Sequence, residues 1–479
     1  MTQRRDDPTS RLAGNATVLL LSHGVNTVLA AAVAILLVRY LGQVEYGLLT
    51  TAYSYISFFL IFTSVGVDTL VQRDVSREPD RAEEIVGEAL GLRLVLSVAS
   101  MVAAWLLLPF VEPTPRLALL VVLLTLTFPA SFYSLYHVVY IVELRQGAPK
   151  LWMGAWSVLL SGMKLALIPL GAPLEAFVAL EVVSAVVVLV MSVWLGRRSG
   201  LRPRVGWAPT RWRALLAASW PVALASTFIQ VYLRIDQLML YRIMGPGEVG
   251  VYAVSVRVVE FANVLPVVFM GSVFPLLSRM WVESAERQER MLVLSFRAMA
   301  WASLPLAAYL FHYAFALMPL VFGAEFEASV GSMRWLAWSI PPTFMNSILY
   351  NQLFAVDRQR EAAVLAGVAA ALNVMLNLLL IGTRGGEGAA MATVMAYGLV
   401  VPLSLAVPSV RRAAVLGLST LVRPALAAGS ALAALTLLRP GILAGAALFA
   451  VTYPAVLVLT GEWGPREVAL VRRSMGKGG

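Results

Sequence analysis

The 479 residues contain no cysteine, which excludes disulfides, thiolate metal ligands and cysteine nucleophiles together. Histidine is nearly as scarce: His23, His137 and His312 are too few for a histidine-rich metal centre. Charged residues make up 13% of the chain, about half the share usual in soluble domains. Lysine is rare among them, three residues against 34 arginines. No Gly-x-x-x-x-Gly-Lys-Ser/Thr stretch occurs, so a nucleotide-binding P-loop is excluded as an energy source. Long polar segments are missing as well.

What fills the chain is apolar. Hydrophobic residues account for 59% and the mean hydropathy is +0.79. A helix needs about 20 apolar residues to cross the hydrocarbon core of a bilayer. About fourteen such runs lie near 14–40, 47–70, 88–111, 117–142, 151–171, 175–196, 214–241, 250–276, 291–321, 331–356, 362–382, 387–410, 421–438 and 441–461. The expected fold class is an all-α polytopic membrane protein. The polar stretch 1–14 carries Arg4, Arg5 and Arg11, and the long run after it lacks a small-residue cleavage site. A retained first helix is therefore expected rather than a signal peptide.

The net charge of +10 is unevenly placed. With the N-terminus inside, cytoplasmic segments hold 26 of the 37 basic residues, extracytoplasmic segments 6 and span interiors 5. This positive-inside asymmetry predicts a multi-pass protein of the inner (plasma) membrane with both termini cytoplasmic. The basic partners it implies are anionic membrane lipids, not nucleic acid. The densest contribution is Arg197, Arg198, Arg202, Arg204, Arg211 and Arg213, with no acid among them.

That stretch also divides the chain. Six spans precede it, and Pro203 and Pro209 break the helical pattern. The sequence then restarts: Arg39-Tyr-Leu-Gly42-Gln-Val-Glu45-Tyr-Gly47 closes the first span and Arg242-Ile-Met-Gly245-Pro-Gly-Glu248-Val-Gly250 the seventh. Four identities fall in nine positions at one offset of 203 residues. Six spans per copy make a parallel repeat, hence two pseudo-symmetric six-helix bundles. The expected organisation is 1–200 as the N-terminal bundle, 201–213 as a basic cytoplasmic linker and 214–411 as the C-terminal bundle. Residues 412–479 would add two extra helices and a tail. The repeated glycines suit tight hairpins, and Glu45 and Glu248 suit the N-terminal ends of the following helices.

The segments RYLGQVEYGLLTTAYSY (39–55), GVDTLVQRDVSRE (66–78), YLRIDQLML (232–240), GEVGVYAVSVRVVEF (247–261) and FPLLSRM (274–280) resemble the polysaccharide transporter family. The stretch FGAEFEASVGSMRWLAW (322–338) fits as well. This family holds O-antigen-type lipid-linked oligosaccharide flippases of the multidrug/oligosaccharidyl-lipid/polysaccharide (MOP) superfamily. The resemblance implies a MOP/MATE-like fold with two bundles facing a central cavity. It also implies movement of an undecaprenyl-pyrophosphate-linked glycan between leaflets by alternating access. Competing readings are a lipid II flippase, an ion-coupled multidrug exporter of the same superfamily, and a membrane glycosyltransferase or polymerase. The largest extracytoplasmic gap, near 323–330, is too short for a catalytic domain, so no enzymatic activity is expected.

Ionisable groups within spans are costly and mark cavities, pairs or pathways. Arg93 and Arg297 lie 204 residues apart, close to the repeat offset, and pseudo-symmetry places them at similar depth. They lead the candidates for binding pyrophosphate or glycan, followed by Lys164, Arg234 and Arg257. Arginine suits pyrophosphate because its fork offers parallel hydrogen bonds and keeps its charge. The alternative for Arg93 and Arg297 is snorkelling to headgroups. Lys164 is expected to meet either Glu181 or substrate. Arg257 can pair with Glu260 three residues on, and Asp236 can reach Arg257 across the hairpin. Asp68 is expected to cap its turn or pair with Arg73. Asp68, Asp236, Glu260 and Glu181 form the candidate set for gating or ion coupling. No cofactor is expected beyond a coupling ion, H+ or Na+, and no metal site. The expected partners are the lipid-linked oligosaccharide and polymerase or ligase machinery, around a monomeric transport unit. Pro129, Pro169, Pro221, Pro266, Pro305, Pro319, Pro341, Pro342 and Pro402 are expected to kink or interrupt spans.

Overall fold

The computed structural model describes residues 8–143 and 147–463. Among them there is no strand, and the chain is a succession of helices. Among the described residues, nine helical segments are long and apolar enough to cross a membrane by length and composition. Contacts divide the chain into two compact units, Met1–Gln230 and Val231–Gly479.

The first unit comprises α1 (Pro8–Ser64), α2 (Val67–Arg77), α3 (Ala82–Leu107), α4 (Pro115–Thr125), α5 (Val138–Val142), α6 (Gly147–Leu167) and α7 (Leu174–Arg198). The first part of α8 (Pro209–Met244) belongs to it as well. α1 is two arms rather than one helix. Gly42 at φ 70 and ψ −178 separates the first two expected spans. Such torsions are open essentially only to glycine. At the far end of the second arm Val65 (φ 49) and Gly66 (φ 76) are both left-handed, and the chain restarts as α2. The expected fourth span is split by a 3-10 stretch, Pro129–His137, between α4 and α5. α1 packs on α3, α4 and α6, and the 3-10 stretch packs on α3 and α7.

The 201–213 segment is not a free linker. Leu201 and Trp212 are buried, and Gly206 N–H donates to Gly87 O at 2.8 Å. Trp212 Nε1 donates to Glu88 O at 2.8 Å. The segment lies along the start of α3.

The second unit continues with α9 (Pro246–Ala262), α10 (Val264–Glu283), α11 (Ala285–Phe322), α12 (Ser329–Ala337), α13 (Ile340–Ala355) and α14 (Gln359–Ser404). α15 (Pro408–Ser419), α16 (Val422–Leu438) and α17 (Ile442–Leu459) complete it. Gly245 (φ 86, ψ 177) repeats the torsions of Gly42 at the 203-residue offset, so the repeated motif makes the same turn twice. Gly385 (φ 55, ψ −133) divides α14 into the expected eleventh and twelfth spans. Pro129 and Pro341 start new helical stretches, while Pro305, Pro319 and Pro402 sit inside continuous helices. Pro221 lies in α8, but its side chain is outside the described residues.

The final pair of helices is docked onto α11 at both ends. At the 440–442 loop, Tyr313 Oη donates to Pro440 O and Tyr309 Oη to Ile442 O, each at 2.9 Å. At the other end Trp301 meets Trp463 edge to face, with ring centroids 5.5 Å apart.

Candidate functional site

Within the first unit the charged residues close on one another. The break at Val65–Gly66 sets Asp68 in the first turn of α2, where negative charge is favoured. Asp68 is ion-paired with Arg93 of α3, whose guanidinium also donates to Ser131 O at 3.0 Å. Ser134 Oγ donates to the second carboxylate oxygen of Asp68 at 3.0 Å. Arg93 is only 2% exposed, so it does not snorkel. The expected Asp68–Arg73 pair does not form: Arg73 turns to Asp74 at 2.9 Å. Arg73 projects from the exposed side of α2, whereas Asp68 faces α3. Lys164 of α6 pairs with Glu181 of α7, one of its two expected partners.

In the second unit the cross-helix ion pair differs from the expected one. Arg234 of α8 reaches Glu260 of α9 at 2.7 Å, and Arg257 reaches the same carboxylate at 3.0 Å. Asp236 lies two residues from Arg234, on another face of α8, and accepts hydrogen bonds from Tyr252 Oη and from Gln237 N–H (2.8 Å). Asp236 is 3% exposed. Tyr252 Oη also lies 3.5 Å from Thr393 Oγ1 of α14. A polar seam extends from here: Tyr232 and Tyr397 pack edge to face, and Asn346 Nδ2 donates to Tyr397 O at 3.0 Å. Asn377 Nδ2 donates to Asn373 Oδ1 at 3.0 Å, both residues fully buried.

Arg297 is not the counterpart of Arg93. It is half-buried on α11 and lies 3.3 Å from Glu462, a buried carboxylate that follows α17 and also faces Arg423 at 3.5 Å. Sequence position matched the two arginines, but only the second unit has an extra helix pair to supply such a partner. Of the histidines, His137 is buried against the Tyr133 ring, and the half-buried His312 lies edge-on to Tyr313. The side chain of His23 lies outside the described residues.

Three ties escaped sequence reasoning. Arg116 at the start of α4 pairs with both Glu45 and Glu175 (2.7 Å to the latter), tying the Gly42 turn to α4 and α7. Glu248 performs the matching task in the second unit, accepting Gly386 N–H at 2.8 Å and so joining the Gly245 turn to the Gly385 break. The repeated glutamate was the available signal, and its partners lay too far along the chain to be read. Glu462 gave no signal, since it follows the last span.

The model of the polysaccharide biosynthesis protein family matches residues 12–281, more than half of the chain. The chain belongs to that family. Its fold is that of the MOP superfamily transporters. The lipid II flippase MurJ in an inward closed conformation superposes with a TM-score of 0.75 at 11% identity, covering 93% of this chain and 98% of that one. An inward-facing multidrug resistance MATE family transporter gives 0.62 at 15% identity, over 82% and 95%. A MOP superfamily transporter from Pyrococcus furiosus, described as having a binding pocket of reverse polarity, gives 0.58 at 16%, over 87% and 99%. No curated protein matches the chain significantly.

Proposed function

We propose that this protein is a flippase, carrying an undecaprenyl-pyrophosphate-linked oligosaccharide from the inner to the outer leaflet of the plasma membrane by alternating access. Family membership supports the class. The observation that carries the reading is the set of cross-helix ion pairs, Arg93–Asp68, Lys164–Glu181 and Arg234–Glu260, each of which puts a charge on a segment long and apolar enough to cross a membrane. Charges at membrane depth are retained where they line a polar path or bias a moving element. In this reading both termini are cytoplasmic.

Arg234 and Arg257 are the guanidiniums best suited to the pyrophosphate. Both are partly exposed and both converge on Glu260, so their guanidiniums stand side by side where phosphate oxygens can engage them in parallel. Arg297 is similarly half-exposed, while Arg93 and Lys164 add positive potential from within their pairs. Asp236 is the carboxylate suited to coupling. Asp68, Glu181 and Glu260 are each tied to a cation, whereas Asp236 accepts from a hydroxyl and a backbone amide, so its charge can answer to H+ or Na+.

The test is translocation in proteoliposomes of three substrates: a lipid-linked oligosaccharide, lipid II and a cationic drug. Movement of the first, reduced at least about tenfold by Arg257→Gln, supports the assignment. Movement of lipid II alone, or of the drug alone, replaces it by the corresponding transporter. Asp236→Asn is expected to abolish the response of transport to an imposed H+ or Na+ gradient while leaving gradient-free exchange measurable. An unchanged response would remove Asp236 from the coupling role.

A further inference from the structure

The 199–208 segment lies over the start of α3 because two glycines let it. A Cβ at Gly87 would overlap the carbonyl oxygen of Arg204, and one at Gly91 would overlap that of Gly206. Both glycines face the same side of α3, four residues apart. Gly206 N–H bonds to Gly87 O, Arg202 N–H donates to Glu83 Oε1 at 2.9 Å, and Leu201 is buried beneath. The backbone carrying Arg202 and Arg204 is therefore held in place rather than waving in solvent.

What it holds is a pocket. Arg197 from the end of α7, Arg202, Pro203, Arg204 and the Tyr136 side chain line a polar cavity of about 440 Å³. Tyr136 is wedged against Gly196, where a Cβ would stand 2.8 Å from the ring. Among the described residues no carboxylate pairs with the three guanidiniums, although neighbouring basic residues are paired: Arg211 with Glu88 at 3.0 Å and Arg81 with Glu84 at 2.9 Å. Of the acids against the segment, Glu83 is engaged by a backbone amide and Glu88 by Arg211. Beside the pocket, Val205 and Trp207 turn outward, Trp207 with 76% of its surface exposed. Exposed apolar side chains flanking unpaired guanidiniums are the composition of a segment resting at a lipid–water interface.

We infer that this pocket binds the phosphate headgroup of an anionic membrane lipid, with Arg197, Arg202 and Arg204 as its donors and Val205 and Trp207 anchoring the segment among the acyl chains. The site lies wholly within the first unit and is independent of the transport assignment. Three guanidiniums around one cavity offer forked donors to phosphate oxygens that a neutral zwitterionic headgroup engages less well.

Native mass spectrometry of the full chain, released from micelles doped with phosphatidylglycerol or phosphatidylcholine, tests the site. The wild type is expected to retain one phosphatidylglycerol preferentially, and Arg202→Ala/Arg204→Ala to retain it about tenfold more weakly. The control Arg213→Ala/Arg287→Ala removes the same charge outside the pocket and is expected to bind as wild type. Equal losses in both variants would reduce the effect to a diffuse positive field and overturn the site. Equal retention of phosphatidylcholine would do the same. A third arm adds inorganic pyrophosphate: displacement of the lipid at equal concentration would make a free phosphate compound the ligand and overturn the lipid assignment. Thermal unfolding of each variant within a degree or two of wild type confirms that the segment is still seated.

Discussion

Arg93 shows how burial changes the meaning of a charge. Its guanidinium is enclosed by Asp68, Ser131 and Ser134, so its removal leaves the partly buried Asp68 carboxylate without its cation. Arg93→Ala is expected to cost about 3–5 kcal/mol, read as loss of thermal stability in detergent. The pair Arg93→Ala/Asp68→Asn should recover part of that loss, because no unpaired charge remains. Strict additivity of the two single changes would refute a direct pair. The sequence exposed Arg93 as a buried charge but not its partner. Asp68 and Arg93 are 25 residues apart on different helices, whereas Arg73 was near in sequence and faced the wrong way. Local spacing finds pairs within one helix, such as Arg257–Glu260, and is blind to pairs made by packing.

At the scale of elements, the two copies of Gly-x-x-Glu-x-Gly share torsions as well as residues. Gly42→Ala and Gly245→Ala should each cost about 1–3 kcal/mol, because an added Cβ is disfavoured at those angles whatever the space around it. The two losses should be comparable, as measured by thermal unfolding. A neutral result at either position would separate the copies. The helices themselves were legible: the apolar runs mark α7, α16 and α17 to within about two residues and α3, α6 and α11 to within about six. What was not legible were the breaks inside runs. The 3-10 stretch Pro129–His137 and the short α15 arise where Pro, Ser and Gly-containing segments pack against neighbours, and hydropathy does not register that. The seat of the 201–213 segment was hidden likewise, because Gly87 and Gly91 look ordinary until the backbone crossing above them is seen.

For the whole chain, the extra helices are fastened rather than appended. Tyr309 and Tyr313 hold one end of the α16–α17 hairpin, and Arg297, Trp301 and Arg423 meet Glu462 and Trp463 at the other. These anchor points on α11 are 16 residues apart, about 24 Å along the helix. Glu462→Ala should release the second end alone, seen as faster proteolysis after α17 with α1–α15 protected and a lowered unfolding temperature. It also leaves Arg297 without its carboxylate, so a rise in affinity for a phosphate-bearing substrate would mark that arginine as part of the path. Unchanged proteolysis would show that the aromatic contacts suffice.

Val65 and Gly66 carry a final consequence. Two consecutive left-handed residues form a joint, and one of them is β-branched, so the bend is held under torsional load of about 1–3 kcal/mol. Beyond the joint α2 is held by its buried Val67, Val71 and Val75 and, three residues downstream of Val65, by the Asp68–Arg93 pair. Undoing that fastening would let the load relax toward a straighter rod, converting a local exchange of partners into a swing of everything beyond the joint.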